Sequence, residues 1–212
     1  MYPKGNLYIP ASHGRLEAIL KEPSGERRGV ALVCHPHPLG GGTMHNKVVF
    51  RAAAGLVDAG LATLRFNFRG VGDSTGKHNE VEGGREDVRD ALDYLAGEYA
   101  NEDLTLAGFS FGSRTGMEVG MADERAKRLI SIGTPVDKYG DYEFLLGVTK
   151  PILFVHGSRD EFGSVENLRL LTDKIPHAEV VIFENCGHFF DDHLNELRET
   201  IREWVSGKIQ TG

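Results

Sequence analysis

Short apolar runs bounded by turn residues alternate along this chain with longer stretches whose apolar residues recur every three or four positions. The short runs lie at residues 7–9, 15–21, 30–34, 62–66, 104–108, 129–132, 152–156 and 180–183, and their length and β-branched content predict strands. The longer stretches predict helices over 47–59, 85–99, 111–122, 165–175 and 192–206. Val88, Ala91, Leu92 and Leu95 form one apolar stripe with charges opposite, and Leu194, Leu197, Ile201, Trp204 and Val205 form another. Such alternation predicts an α/β fold, a mostly parallel sheet covered by helices on both faces. Ser12-His13-Gly14 between the first two runs predicts an antiparallel hairpin at one edge. With no linker, repeat or low-complexity tract in view, residues 1–212 read as one domain.

Chemistry enters where strands end. Gly108-Phe109-Ser110-Phe111-Gly112 follows an apolar run and opens a helix, the setting of a nucleophile elbow. At such a turn the serine Oγ stands exposed, and the amide N–H of Phe111 points where an oxyanion forms. A bare G-x-S-x-G string is weak, so the test is whether an acid and a histidine follow in order. They do: Ser158-Arg159-Asp160-Glu161 follows the strand at 152–156, and Glu184-Asn185-Cys186-Gly187-His188 follows the strand at 180–183. Ser110, an acid at 160 or 161, and His188 therefore share the carboxyl edge of the sheet, where open α/β sheets bind ligands.

On these residues the chain resembles the α/β-hydrolase superfamily over nearly its whole length. Cys34-His35-Pro36-His37-Pro38-Leu39-Gly40-Gly41-Gly42-Thr43-Met44 is similar to the oxyanion-hole segment of small lidless serine esterases related to dienelactone hydrolases. Asn46-Lys47-Val48-Val49 and Arg69-Gly70-Val71-Gly72-Asp73-Ser74 resemble that group too. Ser110 stands where dienelactone hydrolases carry cysteine, which turns the expectation toward ordinary ester chemistry. The resemblance implies Asp160 over Glu161 as the acid, through its strand–G-x-x-D pattern. It also implies the backbone N–H of His37 as second oxyanion donor, with Leu39 as fallback, since Pro36 and Pro38 have no N–H to give.

Composition narrows the remaining possibilities. A net charge of −7 argues against nucleic-acid or anionic-membrane binding, which needs clustered Lys/Arg. The start Met1-Tyr2-Pro3-Lys4-Gly5-Asn6 has no signal-peptide core, and no run reaches transmembrane length. Cys34 and Cys186 make no disulfide framework and read as buried inert thiols, so a cytoplasmic setting is expected. His35, His37 and His45 raise a metal reading, yet sequence spacing supplies no third ligand, and neither metal nor cofactor is expected. His35 reads as a structural hydrogen-bonding residue and His156 as a core or turn histidine, while His13, His78, His177 and His193 sit in polar stretches expected to face solvent. Asp191 and Asp192 read as N-cap and first-turn charges of the last helix. Arg65 and Arg69, around Asn67, read as strand-end cations paired with acids, with Arg69 a candidate for holding loops near the site.

Residues 133–150 are too few for a helical cap, so an open site for small, short-chain esters is expected. Leu39, Tyr139, Tyr142 and Phe189 are the candidates to line its pocket. The partner is then a small ester, with no nucleic acid or membrane, in a monomer or homodimer. Cleavage of a thioester, lactone, peptide or other acyl bond by the same residues, acyl transfer, and a non-catalytic binding protein on the same fold are the alternatives.

Overall fold

The computed structural model describes residues 5–210; Met1–Lys4 of the start read above, and residues 211–212, lie outside them. In chain order the elements are β1 (Leu7–Ala11), β2 (Gly14–Lys21), β3 (Val30–Cys34), α1 (Lys47–Asp58), β4 (Ala62–Phe66), α2 (Glu80–Glu98), β5 (Leu104–Phe109), α3 (Phe111–Ala122), β6 (Ala126–Ile132), β7 (Ile152–Gly157), α4 (Val165–Thr172), β8 (Ala178–Phe183) and α5 (Leu194–Gln210). The eight strands form one sheet in the order β1-β2-β4-β3-β5-β6-β7-β8. Pairing is antiparallel for β1–β2 and β2–β4 and parallel from β4 onward, as the alternation predicts.

Strand periodicity divides the core in two. In β3, Val30, Leu32 and Cys34 face a layer built with α2, α3 and α4, whereas Ala31 and Val33 face α1 and α5. In β7, Ile152 and Phe154 join the first layer, and Leu153 and Val155 the second. Every residue of β3, β5 and β7 is buried, as a strand covered on both faces requires. Between β6 and β7 the chain forms only a short 3-10 turn, Glu143–Gly147, so among the described residues no cap domain covers the carboxyl edge. No helix among the described residues is long and apolar enough to cross a membrane.

Two helix starts differ from the sequence expectation. α2 starts at Glu80, ahead of residue 85, because Gly83 and Gly84 hide the helical signal while serving close packing. A Cβ at Gly83 would lie 3.0 Å from Arg69 Cδ, and one at Gly84 would lie 2.8 Å from Thr115 Cγ2. Asp191 and Asp192 do not cap α5, which begins only at Leu194. Asp191 is drawn instead into an ion pair with Lys47 at the start of α1, and His193 bonds Glu196 across the first turn of α5.

Candidate active site

The strand order reverses direction at β3: α1 leads outward to β4, and α2 returns the chain to β5 on the other side of β3. That switch point opens a crevice at the carboxyl edge, and the loops after β3, β5, β7 and β8 all border it.

Ser110 sits between β5 and α3 with φ 56° and ψ −119°, a conformation that L residues seldom adopt. The turn exists because its flanking positions have no side chain. A Cβ at Gly108 would lie 2.2 Å from the carbonyl oxygen of Gly112, and one at Gly112 would lie 2.4 Å from that of Cys34. The Ser110 N–H donates to the Ile132 carbonyl at 3.0 Å, anchoring the turn to β6.

Asp160 follows β7 and His188 follows β8, and backbone contacts join the two loops. The N–H of Ser158 donates to Phe183 O (2.9 Å), and that of Arg159 to Cys186 O (2.8 Å). The Asn185 N–H donates to Ser158 Oγ at 2.9 Å. Held this way, His188 Nδ1 lies 2.8 Å from Asp160 Oδ2 and His188 Nε2 lies 2.9 Å from Ser110 Oγ. The other oxygen of Asp160 accepts the N–H of Phe162 at 2.8 Å. All three side chains are buried, and the rings of Phe109, Phe162 and Phe189 surround the imidazole at centroid separations of 4.9, 4.6 and 5.2 Å. Glu161 stays exposed and only accepts the backbone N–H of His188, at 3.4 Å.

The loop after β3 folds over its own carbonyls: the N–H groups of Gly40 and Gly42 both donate to His37 O at 3.0 Å. The Leu39 N–H donates to His37 Nδ1 at 3.2 Å, so it is already engaged. The His37 ring lies edge-on to Phe111 at 4.9 Å and stacks on Tyr139 at 6.0 Å. Burial pushes this imidazole below its ordinary pKa, and neighbouring His78 adds to the shift.

The remaining sequence candidates separate clearly. His35 is fully buried, donates from Nδ1 to Pro36 O (2.6 Å) and accepts the Phe68 N–H on Nε2 (3.0 Å). Burial lowers its pKa to about 3, which fixes it as a neutral structural ring. His156 is buried and bonds Gly163 O at 2.6 Å. Of the four histidines expected in solvent, His177 is exposed and His193 half-buried. His13 bonds Asp87 (2.9 Å) and Thr75, and His78 is packed against the His37 ring, so for these two the expectation fails. Arg69 gives its N–H and both Nε and Nη2 to buried Asp87, and pairs with Glu86. Asn67 and Arg65 both bond the backbone of Met44, at the end of the β3 loop. Cys34 and Cys186 are free and buried, with burial pushing both thiols up, Cys186 to about 11. Leu39 and Phe189 are exposed, Phe189 beside His188, and Tyr139 is half-buried against His37 and Phe111. Tyr142 departs from expectation: it is only 4% exposed and packs in the core beside Phe144 and Arg114. Phe162 against His188, with Lys138 Nζ 4.4 Å from the Phe162 ring, was invisible in the sequence, because nothing in linear order marks either residue.

This fold, with its serine elbow, imidazole and carboxylate at the carboxyl edge, defines an alpha/beta hydrolase. The chain belongs to that family: the model of the alpha/beta hydrolase domain matches residues 30–205. It is 36% identical to the structure of an alpha-beta serine hydrolase homologue from Coxiella burnetii, with a TM-score of 0.88 covering 96% of this chain and 99% of that one. XC6422 from Xanthomonas campestris, described as a serine hydrolase without a lid, is 29% identical with a TM-score of 0.88, over 98% of this chain and 97% of that one. The uncharacterized protein RP471 of Rickettsia prowazekii is 32% identical over 209 residues, spanning 94% of this chain and 87% of its own length.

Proposed function

We propose that the chain is a serine hydrolase that cleaves small carboxylic esters through an acyl-enzyme. The carrying observation is the unbroken hydrogen-bond relay from Ser110 Oγ through His188 to Asp160, at 2.9 and 2.8 Å. A serine hydroxyl is a weak nucleophile until a base takes its proton during attack. His188 Nε2 accepts that proton and returns it to the leaving alcohol; in the second half-reaction it activates water, which releases the acid. Asp160 holds Nδ1–H, fixing the tautomer and stabilising the imidazolium without taking the proton. The N–H groups of Phe111 and His37 hold the oxyanion, each contributing about 2.7–4 kcal/mol to the transition state. The engagement of Leu39's N–H by the His37 ring supports His37 as the second donor.

The lack of a cap leaves the crevice open, which favours short acyl chains, with Leu39, Tyr139 and Phe189 at its rim. Two unpaired buried thiols suit a reducing, cytoplasmic setting. The test combines fluorophosphonate labelling with parallel assays of a short-chain ester, a long-chain ester, a thioester and a peptide. Labelling of the wild type and fastest turnover of the short ester are expected. Preference for thioester or peptide would replace the substrate class, and failure to label would leave a binding protein on a hydrolase fold.

A further inference from the structure

Beside the oxyanion loop, two imidazoles and a carboxylate from distant parts of the chain meet with no task in the hydrolysis. Glu80 Oε2 lies 3.7 Å from His37 Nε2 and 3.8 Å from His78 Nε2, and one ligating atom from each residue lies within 4.8 Å of the other two. These separations are too long for hydrogen bonds. The two separations to Glu80 are near the spacing of about 3.3–3.5 Å that ligands take around tetrahedral zinc with bonds of about 2.0–2.1 Å, and the third, bounded at 4.8 Å, shortens on binding. His78 supplies the independent sign: its side chain is 9% exposed, and Nε2 has no hydrogen-bond partner. Its ring is packed against His37 (4.8 Å) and Phe111 (5.7 Å), so solvent is not reached by a simple swing. A buried polar atom left unpaired is destabilising, and such groups mark places where an ion or another polar partner belongs. Glu80 adopts φ 43° at the start of α2, a conformation maintained although unfavourable for a non-glycine residue.

We propose that His37, His78 and Glu80 form a zinc-class divalent-metal site that clips the loop after β3 to the start of α2. Two imidazole nitrogens and one carboxylate suit zinc, whereas magnesium and calcium favour all-oxygen shells. A fourth position is left to water. The Leu39 N–H now donates to His37 Nδ1, which places the neutral ring's proton on Nε2. Metal binding at Nε2 moves that proton to Nδ1 and gives up this 3.2 Å hydrogen bond. Loading the site therefore alters the loop that carries the second oxyanion donor. The metal takes no part in the acyl chemistry, and its binding stands whether or not the esterase reading does.

Isothermal titration of the chelator-stripped full chain with zinc, repeated on variants, decides the matter. One zinc per chain is expected for the wild type, and a tetrahedral d–d absorption on substitution with cobalt. Glu80→Gln, at an exposed side chain that leaves the fold intact, and His78→Gln should each weaken binding at least about tenfold. His177→Gln, at an exposed position elsewhere, should change nothing. Zinc affinity unchanged in both Glu80→Gln and His78→Gln would place the ion elsewhere, for instance on His188, and overturn the proposal. Absence of submillimolar zinc binding by the wild type would overturn it as well.

Discussion

At the scale of the residue, Asp160 and Glu161 are adjacent carboxylates with opposite fates. Asp160 is buried with one oxygen on His188 Nδ1 and the other on a backbone N–H, while Glu161 is exposed. Asp160→Asn presents an amide to the imidazole and favours the wrong tautomer, so kcat should fall by about 10⁴. Glu161→Gln should remain within a few-fold of wild type; steady-state kinetics on one short ester compares the two, and the reverse ranking would transfer the acid role to Glu161. Ser110→Ala should abolish fluorophosphonate labelling and lower turnover by about 10⁵–10⁶ with an unchanged melting temperature. Ser110, Asp160 and His188 were legible as neighbours because each lies in the connection just after a strand of the sheet, so chain order brings them to one edge. The elimination of Pro36 and Pro38 as oxyanion donors was equally legible, since it depends only on covalent structure. His78, Glu80 and Phe162 were not legible: each reaches the crevice through packing between elements that no local spacing encodes. Tyr142 misled for the converse reason, because an aromatic in a short connection can as easily close the core as line a pocket.

At the scale of the element, the strands were the most readable features, since burial on both faces demands continuous apolar runs. Helix starts were less so, because a cap residue is chosen by what surrounds it; Asp191 finds Lys47 and leaves α5 to begin at Leu194. The start of α2 shows a further cause. Gly83 and Gly84 read as helix breakers, yet they let α2 approach Arg69 and Thr115 closely. The approach is secured by Asp87, fully buried, accepting the N–H and two guanidinium donors of Arg69 as well as His13 Nε2. Removing one partner of such a pair strands the other, so Asp87→Ala should cost about 3–5 kcal/mol in chemical denaturation. A cost below about 1 kcal/mol would mean that water replaces the carboxylate there. At the elbow, Gly112→Ala forces a Cβ toward the carbonyls of Cys34 and His35, at 2.4 and 2.6 Å. Overpacking against backbone should cost about 2–3 kcal/mol and displace Ser110, so labelling should slow even in the fraction that folds.

At the scale of the whole molecule, the two layers of core bury imidazoles as well as hydrocarbon, and stability thereby becomes a function of pH. His35 lies at 0% exposure under the β3 loop, and burial lowers its pKa from 6.5 to about 3, against a smaller opposing effect from its bond to Pro36 O. The unfolded chain takes up a proton at this ring near pH 6.5, the folded chain only near pH 3. Between those values unfolding binds a proton, so the stabilisation is complete above about pH 6.5 and is lost on acidification. From about pH 7.5 to about pH 5.5 this one group should remove about 1.4 kcal/mol. His156, also lowered by burial, acts in the same direction and steepens the decline. Carboxylates held below their ordinary range, such as Asp123 beside Arg125, contribute their own losses mainly at lower pH. Urea denaturation at the two pH values measures the sum, and His35→Gln isolates the first part. Glutamine can keep an acceptor toward the Phe68 N–H but has no proton to take up. The variant should be less stable at neutral pH yet lose about 1.4 kcal/mol less between the two values; an equal loss in variant and wild type would show that His35 does not carry the dependence.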